Sequence, residues 1–170
     1  MFNAKEITLM GIAIALVYVA TAFVNVKLPI ASQGGLIHLG NVPLFIFAIL
    51  FGKKVGAVAG AFGMGIFDLL SGWTLWAPFT FVIVGAMGYA VGLITEKHKS
   101  GNWYLLAFIV AGTIKLGGYY IAEGCIYGNW YAPIASVPGN FFQILLAALI
   151  TRLLIDPLWR SIKPGGSKKD

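Results

Sequence analysis

Long apolar runs, broken by short clusters of charged or turn-forming residues, recur along the whole chain. They place candidate spans near residues 5–25, 36–52, 55–71, 78–95, 103–122 and 138–156. Each is close to the roughly 20 apolar residues that a helix needs to cross a bilayer core. In lipid every backbone polar group must be bonded inside a helix or a closed barrel, so these runs predict an all-α integral membrane protein of six transmembrane helices. Spans two and three are separated only by Gly52-Lys53-Lys54, which predicts a tight antiparallel pair or a partly re-entrant second segment. The spans use most of the chain, and no Gly/Ser-rich or Pro-rich linker precedes Pro164. Residues 1–170 therefore read as one transmembrane domain with a short basic cytoplasmic tail, 157–170.

Composition agrees with lipid as the solvent: 59% of residues are hydrophobic and 11% charged, too few polar groups to cover a soluble domain. The formal charge of +6 does not form one basic stripe, so no nucleic-acid partner is expected. It follows the positive-inside rule instead. With the N-terminus inside, Lys5, Lys53, Lys54, Lys97, Lys99, Arg152, Arg160, Lys163, Lys168 and Lys169 all fall at cytoplasmic ends, Lys27 alone lies in an outer loop, and Lys115 sits within span five. An even number of spans puts both termini in the cytoplasm. Ala20-Thr21-Ala22 resembles a signal cleavage site, but the apolar run before it is long for a signal core, and its removal would break the even count. The single cysteine, Cys125, excludes an intramolecular disulfide and a cysteine metal site.

Ionisable groups inside a membrane are costly and default to functional hypotheses. Asp68, Lys115, Asn140 and Gln143 all fall in the outer half of their spans, and Tyr119 and Glu123 follow Lys115 at steps of four, on one helix face. Outer loops add Trp73, Trp76, Tyr127, Trp130 and Tyr131, while Gln33, Gly34 and Gly35 precede His38 and Asn41. Two readings stay open for these groups. The aromatics fit either an interfacial belt or the wall of a site for a small planar ligand. Asp68 and Lys115 either fasten spans three and five as an ion pair or touch ligand, and His38 either caps a turn or binds. Small residues fill the inner half: Gly11 and Ala15 on span one, and Gly56, Ala57, Ala59, Gly60, Gly63 and Gly65 on span three. Such spacing permits close helix approach, inside the chain or against a partner. No Walker A, H-E-x-x-H or G-x-S-x-G motif occurs, so no enzyme class is indicated, and uphill transport would draw on an ion gradient or a partner ATPase.

The runs His38-Leu39-Gly40-Asn41-Val42-Pro43, Leu50-Phe51-Gly52-Lys53-Lys54-Val55-Gly56-Ala57 and Asp68-Leu69-Leu70-Ser71-Gly72 with Trp76-Ala77-Pro78 resemble the substrate-binding S components of energy-coupling factor (ECF) vitamin transporters. Nearly the whole chain is covered, and the closest subgroup is that assigned to vitamin B6 (pyridoxine) or the thiamine precursor hydroxymethylpyrimidine. The resemblance implies a subunit of the bacterial cell membrane that captures a water-soluble vitamin from outside. It has no cofactor of its own, and docks on a transmembrane T component carrying two ATPase subunits that use the ATP. It implies ligand contacts from Lys115, Tyr119, Glu123, Asn140 and Gln143, with His38, Asn41, Asp68 and Trp76 at the lid or wall. The family's docking pair on the first helix usually reads Ala and Ala; Gly11 and Ala15 stand there. Alternatives are a riboflavin-type S component, an intramembrane enzyme with Asp68 or Glu123 as base, and a channel or stand-alone carrier.

Overall fold

Asn3 opens the first helix with a reciprocal cap: its side chain accepts from the Glu6 N–H at 2.9 Å, while the Glu6 carboxylate accepts from the Asn3 N–H at 3.0 Å. The computed structural model describes residues 3–27 and 36–162. In these, α1 (Ala4–Phe23) leads into a short antiparallel hairpin of β1 (Asn25–Lys27) and β2 (Leu36–His38). Five further helices follow: α2 (Asn41–Phe51), α3 (Lys53–Leu70), α4 (Ala77–Thr95), α5 (Gly101–Tyr127) and α6 (Val137–Ile162), the last preceded by a 3-10 turn at Ala132–Ser136. Gln33, Gly34, Gly35, Lys163, Lys168 and Lys169 lie outside the described residues. Among the described residues, four helical segments are long and apolar enough to cross a membrane: α1, α4, α5, and α6 with its 3-10 turn.

The second expected span needs correction. Leu36–His38 is a strand, and the helix begins only at Asn41. A helix from residue 36 would put Pro43 in its interior, where proline has no N–H for the Leu39 carbonyl and its ring clashes there. Instead Leu39 donates to the Val24 carbonyl, and its own carbonyl accepts from Val42 at 2.9 Å. At 11 residues, α2 is about 16 Å long, half the thickness of a bilayer core. α6 runs beyond the expected 156, through Pro157 to Ile162, so the first residues of the basic tail are its last turn.

Gly52, at φ +90, is the single residue between α2 and α3, a backbone setting that favours glycine. The turn lays α3 against α4 so closely that an added Cβ on Gly88 would stand 2.1 Å from the Gly56 carbonyl oxygen. Cβ atoms on Gly56 and Gly60 would meet the carbonyls of Gly88 and Val84, each at 2.5 Å. Backbone contact of this kind is how helices associate where no hydrophobic effect separates helix from lipid. Gly88→Val should therefore lower the thermal unfolding midpoint in detergent, by the equivalent of about 1–3 kcal/mol of overpacking. Gly11→Val, with nothing within 4 Å of its Cβ, should leave the midpoint nearly unchanged.

The two ends of the bundle differ. At the end holding the α2–α3 and α4–α5 turns, Lys53 pairs with Glu96 at 3.0 Å, Lys99 donates to the Ile49 carbonyl, and Arg152 pairs with Asp156 at 3.0 Å. The opposite end holds the hairpin, the 3-10 turn and the buried side chains Asn41, Lys115, Glu123 and Gln143.

Candidate ligand-binding site

The buried stripe of α6 advances in steps of four from Gly139 through Gln143, Ala147 and Thr151 to Ile155 and Trp159, which aims Gln143 inward. Its amide joins three elements. Oε1 accepts from Lys115 Nζ at 2.9 Å and, more weakly, from Asn41 Nδ2 at 3.5 Å, while Nε2 donates to the Leu36 carbonyl of the hairpin. Lys115 is 1% exposed and Asn41 fully buried. Asn41 Oδ1 is buried with no hydrogen bond among the described residues, an arrangement that ordinarily has an explanation.

Lys115 also faces the Tyr119 ring, 5.4 Å from its centroid, within cation–π range. Tyr119 leads into a second group: Thr80 Oγ1 lies 2.5 Å from Asp68 Oδ2 and 3.0 Å from the Tyr119 hydroxyl, tying α3, α4 and α5 together. Lys115 and Asp68 feel each other's charge, yet no ion pair joins them: each has its own partner. The ion-pair reading of the two is thereby set aside.

A third group lies further along α5. Ser136 Oγ donates to Glu123 Oε2 at 2.6 Å, and Trp76 lies against the same carboxylate. The Trp76 ring meets Trp73 edge-on at 5.2 Å and Tyr127 at 6.0 Å. By contrast Tyr131 is 83% exposed and Trp130 54%, as members of an interfacial belt would be.

His38, in the hairpin and outside the helices, accepts from the Gly40 N–H at 3.2 Å through Nδ1. Burial, and secondarily the nearby Lys115, holds its imidazole well below the usual histidine range. The ring is therefore neutral with its proton on Nε2, a donor beside the Lys115 group with no acceptor among the described residues. Asn140 is half-buried and off the inward stripe of α6. Thr80 and Ser136, which hold Asp68 and Glu123, were not singled out by the sequence.

A bundle with apolar helices long enough to cross a bilayer, and with buried Asn41, Lys115, Glu123 and Gln143 at one end, is a multi-pass membrane protein with a candidate solute site. Residues 1–160 match the family of the ECF-type riboflavin transporter S component, and the chain belongs to that family. As such it is a transporter subunit of the plasma membrane and not an enzyme; S components bind substrate without a cofactor, and partner subunits use the ATP. It is 31% identical over 152 residues to the Thiamine precursor transporter HmpT of Lactococcus lactis subsp. cremoris (strain MG1363), covering 89% of this chain and 86% of that protein. A UPF0397 protein of Lactobacillus helveticus (strain DPC 4571) is 30% identical over 182 aligned positions, 99% of this chain and 96% of its own. An uncharacterized protein of Pyrococcus woesei is 32% identical over 102 residues, 60% of this chain and 68% of its own.

Proposed function

We propose that the chain captures a small planar heteroaromatic vitamin precursor, of the hydroxymethylpyrimidine class, at the hairpin end of the bundle and passes it to an ATP-driven module. The observation that carries this reading is Lys115. A lysine amine 1% exposed, with one hydrogen bond to a neutral amide among the described residues, keeps further N–H groups to donate. Around it, Asn41 Oδ1 and the Asp68 carboxylate offer acceptors and Tyr119 a ring face. A ring rich in nitrogen and hydroxyl groups satisfies both sets. The name of the Lactococcus relative favours the thiamine precursor over pyridoxine or riboflavin.

The proposed arrangement has six membrane-inserted helices in one domain, 1–170, with both termini and the tail from 157 in the cytoplasm. The basic residues at the end opposite the hairpin support it. Ligand contacts are assigned to Lys115, Tyr119, Gln143, Asn41 and Asp68. His38 acts at the lid, Glu123 and Trp76 form the outer wall, and Asn140 sits at the rim. Gly11 and Ala15 form the docking face for the T component, which carries two ATPases; both are exposed and leave the neighbouring Met10, Ala13 and Val17 to pack inside.

Thermal-shift titration of the purified chain against B vitamins and their precursors tests the ligand. The expected result is a saturable shift with hydroxymethylpyrimidine exceeding those with pyridoxine and riboflavin. A larger shift with riboflavin would reassign the substrate.

A further inference from the structure

We infer that Thr80 holds Tyr119 as a hydrogen-bond acceptor and so makes the site select a ring that donates an N–H there, an aminopyrimidine over its oxo counterpart. This rests on the proposed ligand site. A threonine hydroxyl carries one proton, and at 2.5 Å from Asp68 Oδ2 that proton is committed to the carboxylate, which can only accept. The contact between Thr80 and Tyr119, 3.0 Å long, must then be made by the phenol proton. Tyr119 Oη is left with lone pairs only.

Thr80 is 1% exposed in the first turn of α4, held from α3 on one side and α5 on the other, so the direction of the chain is fixed by packing. Asn41 Oδ1 is a second buried acceptor. The donors are Lys115 Nζ and His38 Nε2. An aminopyrimidine matches this set, with amine N–H groups beside ring nitrogens that accept. Replacing the amine by an oxo group inverts the pattern, placing oxygen against oxygen and leaving buried acceptors unpaired, the kind of mismatch that discriminates strongly. Thr80 is thus a positioning residue: it acts on the ligand through Tyr119.

The test is calorimetric titration of the full-length chain in detergent with hydroxymethylpyrimidine and with the analogue carrying oxo in place of the amine. Wild type should prefer the amine by about tenfold or more, the value of one hydrogen bond. Thr80→Ser should keep that preference. Thr80→Val, which keeps the shape but frees the phenol proton, should cut the ratio by about tenfold, and Tyr119→Phe should lose the same discrimination should the valine variant fail to fold. An unchanged ratio in Thr80→Val or Tyr119→Phe, or a wild type that binds the amine without discriminating, overturns the inference alone. Binding of neither probe by wild type overturns the ligand-site reading beneath it.

Discussion

Lys115→Met is expected to weaken hydroxymethylpyrimidine binding by about 10- to 100-fold, the range of a hydrogen bond from a charged donor, while leaving the protein as stable as wild type or more so. The two effects have opposite signs for a physical reason. Lysine with 1% exposure pays a desolvation cost that one amide hydrogen bond and an aromatic face do not fully offset. Methionine fills the same volume without it. Gln143 Oε1 keeps the weaker contact from Asn41 after the substitution, and Gln143 Nε2 keeps the Leu36 carbonyl. Calorimetric titration paired with a thermal melt reads both quantities. A structural lysine would give the reverse, a lowered melting point with unchanged affinity.

Substituting Gly11→Leu and Ala15→Leu together should abolish ATP-driven uptake and leave ligand affinity within about twofold, below the value of one hydrogen bond. The two residues lie on the outer side of α1, where a Cβ on Gly11 meets nothing within 4 Å. The opposite side carries Val17, against which Gly63 packs so tightly that its Cβ would stand 2.6 Å from a valine methyl. A smooth strip next to a buried one lets another helix approach at close range, and two leucines would hold it several ångströms off. Flux and binding must separate for the assignment to stand. Assembly with the T component that survives both substitutions would move the interface to another helix.

The spans were legible because hydropathy is a strong signal over about 20 residues. Limits appeared where the signal is short. Strands of three residues, Asn25–Lys27 and Leu36–His38, are too brief for a period-two pattern, and Leu36-Ile37 reads as the start of an apolar span. Pro43 was the available clue that helix α2 starts late. Depth along the spans brings Asp68, Lys115, Asn140 and Gln143 to one end; the structure joins Lys115 to Gln143 directly, adds Asn41 from beyond the first outer loop to the same amide, and leaves Asn140 off the inward stripe. It could not separate Asp68 from Lys115, since depth says nothing about azimuth between helices. Thr80 was invisible for a different reason. Thr21 and Thr95 bond their own helix carbonyls at Val17 and Val91, each at 2.7 Å, so a threonine in an apolar span carries no mark of whether its hydroxyl turns inward to a neighbour.

Under the proposed function this chain binds its solute by itself but moves it only through a partner motor. Proteoliposome uptake of labelled hydroxymethylpyrimidine tests that most directly, comparing the chain alone with the chain joined to a T component and two ATPases. Stoichiometric retention without accumulation by the chain alone, and ATP-dependent accumulation with the module, is the predicted result; accumulation by the chain alone would contradict it.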